Sequence, residues 1–254
     1  GPGGEGLGSG GDGTGGGLGG PGSGNWGGGG LEGFKGSFDA YLGVLKRTGL
    51  DVVFVFDSTG SMEWVIEPVK AKIASLMGVI KRLVPIARLG IVAYRDWGEE
   101  YVTRMQDLTT DSRPLKEFLN GVKAEAGGDW EEAVEEALRV AIEKARWRKG
   151  SKKMIILIGD APPHKKDLPK ALNLVDKFQQ QGGVVSAIDT SHETNDQEFS
   201  NYDSTKILPE FVAITARGKG ETTNLQDKKI IQQLAILTFG SRWKEAMEEY
   251  IGDL

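Results

Sequence analysis

The chain has 254 residues, enough for one large α/β domain or for a domain with an appendage. Its formal charge of −5 is small and mixed in sign, which argues against nucleic acid or an anionic membrane as the partner. Cysteine is absent, so disulfides, thiolate metal sites and cysteine nucleophiles are excluded together.

Nineteen of the first 30 residues are glycine, half of the 38 in the chain, and the remainder reads as an ordinary globular sequence. Residues 1–36 cannot bury enough apolar surface to offset their ordering entropy, so a flexible low-complexity tether is expected there. Gly8-Ser-Gly-Gly-Asp-Gly13 matches a dinucleotide-binding glycine pattern, but no strand precedes it and no helix follows, so it is compositional. The chain begins Gly1-Pro2 rather than Met, as a processed protein or an excised fragment does, and any targeting or anchoring segment would lie upstream. No stretch approaches the ~18 apolar residues of a membrane span, so direct membrane insertion is not expected.

From Phe38 onward strands and helices alternate. Asp51–Phe56 is a β-branched and aromatic run suited to a buried parallel strand. Between Glu63 and Leu83 a helical stripe holds Val65, Val69, Ile73, Leu76, Met77 and Ile80. Ala87–Arg95 and Tyr101–Gln106 read as two strands with a turn at Gly98. A helix is expected over Asp129–Trp147, with Trp130 and Leu138 on its apolar stripe, then a strand at Met154–Ile158. A helix at Leu168–Gln181, a strand at Val184–Ile188 and helices at Ile207–Ala216 and Ile230–Tyr250 complete the pattern. The expected architecture is a Rossmann-like, doubly wound and mostly parallel sheet flanked by helices.

Two strands run into aspartate, at Phe56-Asp57 and Gly159-Asp160, which puts both carboxylates on the carboxyl rim where open α/β sheets gather ligands. Asp57-Ser-Thr-Gly-Ser61 adds hydroxyls at Thr59 and Ser61, with Gly60 allowing a tight turn. Two carboxylates and two hydroxyls form an oxygen set that suits a hard divalent cation.

Asp57-Ser-Thr-Gly-Ser61 after an apolar strand resembles the D-x-[S/T]-x-S loop of von Willebrand factor A domains, where it forms the metal-ion-dependent adhesion site. Ile155-Ile-Leu-Ile-Gly-Asp160-Ala-Pro-Pro-His164 resembles the strand that ends in that family's distal aspartate. Gly127-Gly-Asp-Trp-Glu-Glu-Ala133 resembles its third metal-binding loop. The resemblance runs from about residue 49 to 217, and Tyr94-Arg95-Asp96 also occurs in some branches. It divides the chain into a tether (1–36), an A domain (37–225) and a helical extension docked on it (226–254). It also implies Mg²⁺, or Mn²⁺ or Ca²⁺, bridging to an Asp or Glu of a protein partner, and an extracytoplasmic setting. Many members carry threonine where this chain has Asp129, while Glu132 better matches the glutamate of integrin β-type domains, so both are candidate ligands. A third carboxylate would tighten cation binding and leave the ion less electrophilic toward a partner's carboxylate.

Simpler readings stand beside these. Asp57 and Ser61 could cap the following helix, and Asp129-x-x-Glu132 is itself a capping-box pattern. His164 and His192 are too few and too separated for a zinc site. Asp96 is expected to pair with Arg95 or a backbone amide, in a secondary role beside Ser58 and His164. Trp97 is a candidate partner contact, whereas Trp130 belongs to the core. The polar insertion at Ser191–Ser204 lies near the expected rim.

A binding module, not an enzyme, is therefore expected. A Mg²⁺-dependent hydrolase or phosphotransferase is the alternative, weakened by the lack of a G-x-S-x-G elbow or a phosphate loop. An assembly component tethered by the Gly-rich segment is compatible with the first reading.

Overall fold

The computed structural model describes residues 31–191, 207–224 and 230–251. The expected Gly-rich segment up to residue 30 and the insertion from 192 to 204 lie outside them.

Six strands build the sheet: β1 (Leu50–Asp57), β2 (Arg88–Tyr94), β3 (Thr103–Thr109), β4 (Lys152–Gly159), β5 (Gly183–Asp189) and β6 (Lys219–Asn224). Their order is β3-β2-β1-β4-β5-β6, and every pairing is parallel except the β2–β3 hairpin. All eight residues of β1 are buried, because helices cover both sheet faces and a two-sided burial calls for an unbroken apolar strand.

The helices are α1 (Leu31–Thr48), α2 (Glu63–Leu83), α3 (Ser112–Gly121), α4 (Val134–Glu143), α5 (Leu168–Gln180), α6 (Pro209–Arg217), α7 (Ile230–Phe239) and α8 (Lys244–Ile251). Phe54 and Phe56 of β1 face a core formed with α1, α2, α3, α7 and α8. Val53 and Val55 face the opposite core, formed with α4, α5 and α6. This is the doubly wound architecture expected from the strand–helix alternation.

Several boundaries differ from expectation. Helix α1 covers residues 31–36 of the expected tether, and its buried Phe38, Leu42 and Leu45 fall at helical spacing. Helix α3 and strand β6 were not expected. β6, Lys-Gly-Glu-Thr-Thr-Asn, is a polar edge strand without the apolar run that marks the central strands. The helix expected over 129–147 is shorter, because the chain bends at Asp129 and Trp130 and Glu132 bridges to Pro163 of the loop after β4. Ala133 is the N-cap and gives no side-chain cap, so the capping-box reading of Asp129 and Glu132 is corrected. Trp130 accordingly sits in a loop, half-buried against the second core.

The helix expected over 230–250 breaks at Gly240, whose φ of +108° is open to glycine but strained for other residues. Beyond the break Trp243 stacks on Tyr41 of α1 at 5.1 Å and lies 5.4 Å from Phe38. Leu234, Leu237, Trp243 and Met247 are all buried in the first core, which docks the terminal helices on the sheet.

Candidate metal centre

Register places the chemistry. Asp57 pairs with Tyr94 across β1–β2, and Gly159 pairs with Asp189 across β4–β5, so the strand ends form one rim. Asp57 folds its own loop: Oδ1 accepts from the Thr59 amide at 2.8 Å and from Thr59 Oγ1 at 2.5 Å. Thr59 Oγ1 lies 3.3 Å from Ser61 Oγ, so the two hydroxyls converge as expected. The turn needs Gly60 for space rather than for an unusual φ. An added Cβ would come within 2.9 Å of the Ala126 carbonyl, which accepts from the Gly60 amide. The 122–128 loop is thereby laid against the Asp57 loop.

Asp57, Asp160 and Glu132 are all buried, Glu132 with only 3% of its surface exposed. Asp57 Oδ2, both Asp160 carboxylate oxygens and Glu132 Oε2 are buried without a hydrogen-bond donor among the described residues. Burial raises the Asp57 carboxyl well above its usual range, and the Asp160 charge adds to that, against the opposing Thr59 bonds. Asp160 is also raised, chiefly by burial, with Ser61 opposing and the Asp189 charge adding. Glu132 is pushed up to about 10 by burial, then by Asp57, Asp96 and Asp160. Such clustering of unneutralised carboxylates is unfavourable unless positive charge joins them. Beside them opens a cavity of about 200 Å³ lined by Thr59, Ser61, Gly127, Asp129, Trp130 and Glu132.

The donor-free oxygens fit a hard cation. Among the described residues no three of His, Asp and Glu form a metal cage by themselves, so hydroxyls and water would have to complete the shell.

The sequence profile of the von Willebrand factor A domain matches residues 51–227, well over half of the chain. The chain belongs to the von Willebrand factor A domain family. The chain is 26% identical over 117 residues to the ariadne-like RING finger protein R811 of Acanthamoeba polyphaga mimivirus. That match covers 46% of this chain but only 11% of the viral protein. Among solved structures, the conserved hypothetical protein BatB from Bacteroides thetaiotaomicron superposes with a TM-score of 0.53 at 18% identity, covering 80% of this chain and 97% of BatB. Proximal thread matrix protein 1 of the mussel byssus, solved with a zinc-occupied MIDAS motif, gives a TM-score of 0.56 at 16% identity. It covers 75% of this chain and 46% of that one. At these identities the likeness is one of fold.

The remaining candidates divide within the A domain. Ser58 is buried and pinned to β2: its amide and Oγ donate to the Tyr94 carbonyl at 2.8 and 2.9 Å, and Oγ also meets Tyr101 OH at 2.8 Å. Asp129 is exposed, its carboxyl raised by burial of its neighbourhood and by Asp96, whereas Glu132 lies inward with Asp57 and Asp160. Asp96 does not pair with Arg95. Its Oδ1 lies 2.6 Å from His164 Nε2, and Arg95 turns instead to Glu100, Glu125 and the Lys123 carbonyl. Trp97 is 51% exposed on the rim, its Nε1 donating to Glu135 Oε1 at 3.3 Å.

Sequence reasoning missed Glu131, which reaches His164 Nδ1 at 3.3 Å, and Glu135, whose buried Oε2 has no donor. The run Glu131-Glu-Ala-Val-Glu-Glu136 offered a signal, but a regular helix through it spread these side chains over the wrong faces.

Proposed function

We propose that this A domain is a protein-binding module that captures a partner's Asp or Glu through a divalent cation. Asp57, Thr59, Ser61 and Asp160 would hold the ion, with the inward Glu132 rather than Asp129 reaching it through water. The observation that carries this reading is the set of buried carboxylate oxygens without donors, set beside an open polar cavity.

When bound, the ion supplies positive charge and an open coordination position; the chain's residues do the rest. Thr59 fixes the Asp57 carboxylate by two hydrogen bonds on one oxygen, leaving the other to face the site. Gly127 and Gly128 leave the cavity mouth clear of side chains, and Trp97 offers an apolar contact nearby on the rim. Mg²⁺ is the ion we favour from the oxygen-only donors, with Mn²⁺ or Ca²⁺ as substitutes. The likeness to a byssal matrix protein whose MIDAS motif holds zinc supports a divalent ion and an extracytoplasmic setting. In this reading the Gly-rich residues 1–30 link the domain to a larger assembly and 226–254 form a docked extension.

An enzymatic reading would need a base at the cavity. His164 has both ring nitrogens engaged, by Asp96 and by Glu131, which suits a strap between loops better than a general base.

Calorimetric titration of Mg²⁺ and Mn²⁺ into wild type and Asp57→Ala tests the proposal. Saturable binding in wild type and none in the variant is expected. Equal binding in both would overturn the assignment, and turnover of phosphate esters that vanished in His164→Ala would restore the enzymatic alternative.

A further inference from the structure

Tyr94 ends β2, directly beside Asp57 in register. Its ring is fully buried in the second core, yet its hydroxyl has no hydrogen-bond partner among the described residues. Phenylalanine would fill the same volume without stranding a donor, so packing does not account for the oxygen.

The space around that hydroxyl is specific. A Cβ added at Gly159 would come within 2.6 Å of Tyr94 Oη and 3.3 Å of the Asp57 Cβ. Only the missing side chain of Gly159, the residue before Asp160, lets the phenol reach the strand ends that carry both aspartates. One donor without an acceptor thus sits on the same rim as four carboxylate oxygens without donors: Asp57 Oδ2, both of Asp160 and Glu132 Oε2. A phenol, whose usual pKa is about 10, keeps its proton at neutral pH and so is available as a donor.

We infer that the Tyr94 hydroxyl is a positioning group for the metal centre, donating to the Asp57–Asp160 carboxylate pair directly or through one water. The inference rests on the cation-binding reading above. An ionised carboxylate that gives one lone pair to a metal gains from a donor on another, and groups outside the ligand shell commonly set affinity in this way.

The test compares wild type, Tyr94→Phe and Asp57→Ala by Mg²⁺ calorimetry, by thermal melting in EDTA, and by the tyrosine near-ultraviolet difference spectrum on adding Mg²⁺. Tyr94→Phe is expected to bind Mg²⁺ about tenfold more weakly. In EDTA it should melt no lower than wild type, because it loses a stranded hydroxyl. The Mg²⁺-induced tyrosine band of wild type should be missing from it. A merely structural tyrosine would move stability and affinity in the same direction and give no such band. Equal Mg²⁺ affinity in wild type and Tyr94→Phe overturns the inference while leaving the metal centre intact, as does a lower melting point of Tyr94→Phe in EDTA. Absence of Mg²⁺ binding by wild type refutes the metal-binding reading itself, and the role of Tyr94 with it.

Discussion

His164 Nε2 lies 2.6 Å from Asp96 Oδ1, which joins the loop after β4 to the loop after β2 across 68 residues of sequence. Glu131 takes the other ring nitrogen at 3.3 Å, so one imidazole ties three rim loops together. Burial alone would lower the His164 pKa, but the bonds and charge of Asp96, then of Glu131, outweigh it and raise the value.

A raised folded-state pKa stabilises fully below the unfolded value of about 6.5 and is lost as pH climbs through the folded value. Replacing His164 by glutamine should therefore cost about 1 kcal/mol in mildly acidic solution, given the partial solvation of the ring. The loss should shrink above the folded pKa. Urea unfolding of both proteins on either side of neutrality checks this, and a pH-independent difference would refute it.

At the opposite end of the sheet Asp51 is fully buried and carries Arg148 at 2.7 Å, Arg88 at 2.8 Å and the Ser151 hydroxyl at 3.0 Å. Burial raises its carboxyl, but the bonds from Arg88 and Arg148 together more than reverse that, so its pKa is lowered. Asp51→Asn strands two guanidinium groups and should cost about 3 kcal/mol at neutral pH. Because the folded pKa is lowered, this stability is complete above the unfolded value of about 4 and disappears as pH falls through the folded one. The gap between wild type and Asp51→Asn in urea midpoints should accordingly close in acid.

Asp160 has neither oxygen satisfied and faces the Asp57 charge. Asp160→Asn should thus stabilise the metal-free protein, because it removes one of two like charges buried side by side. Wild type should in turn gain about 2.7 kcal/mol from Mg²⁺ at a hundred times Kd, and the variant nothing. Melting curves in EDTA and in Mg²⁺ distinguish this crossing pattern from a simple loss of stability.

Gly159→Ala drives a Cβ to 2.6 Å from Tyr94 Oη at the carboxyl end of β4, where the fully buried ring has little room to retreat. Overpacking of this kind costs about 1–3 kcal/mol. If the hydroxyl is the obstacle, the same substitution made in Tyr94→Phe should cost clearly less, and a double-mutant cycle measures the difference. Additive effects would locate the clash elsewhere.

Much of this molecule was legible without coordinates because its signals are local. The apolar run Val52–Phe56 needs burial on both faces wherever it sits, and so implies a covered parallel sheet. Asp57, Thr59 and Ser61 converge through a turn that Asp57 itself makes. Edge strand β6 escaped notice because a polar hexapeptide carries no apolar period. Helix α4 began late because the chain around Glu132 pairs with Pro163, an interaction that no window of sequence contains.

By itself, the sequence determined the apolar strands and the helices that alternate with them, the two aspartates at strand ends and the hydroxyl loop after the first, all properties of neighbours along the chain. Only the tertiary structure decided that Glu132 rather than Asp129 turns inward, that His164 straps Asp96 to Glu131, and that Gly159 makes room for Tyr94. Each of these depends on which strand ends lie side by side, and that adjacency is set by packing across the whole sheet.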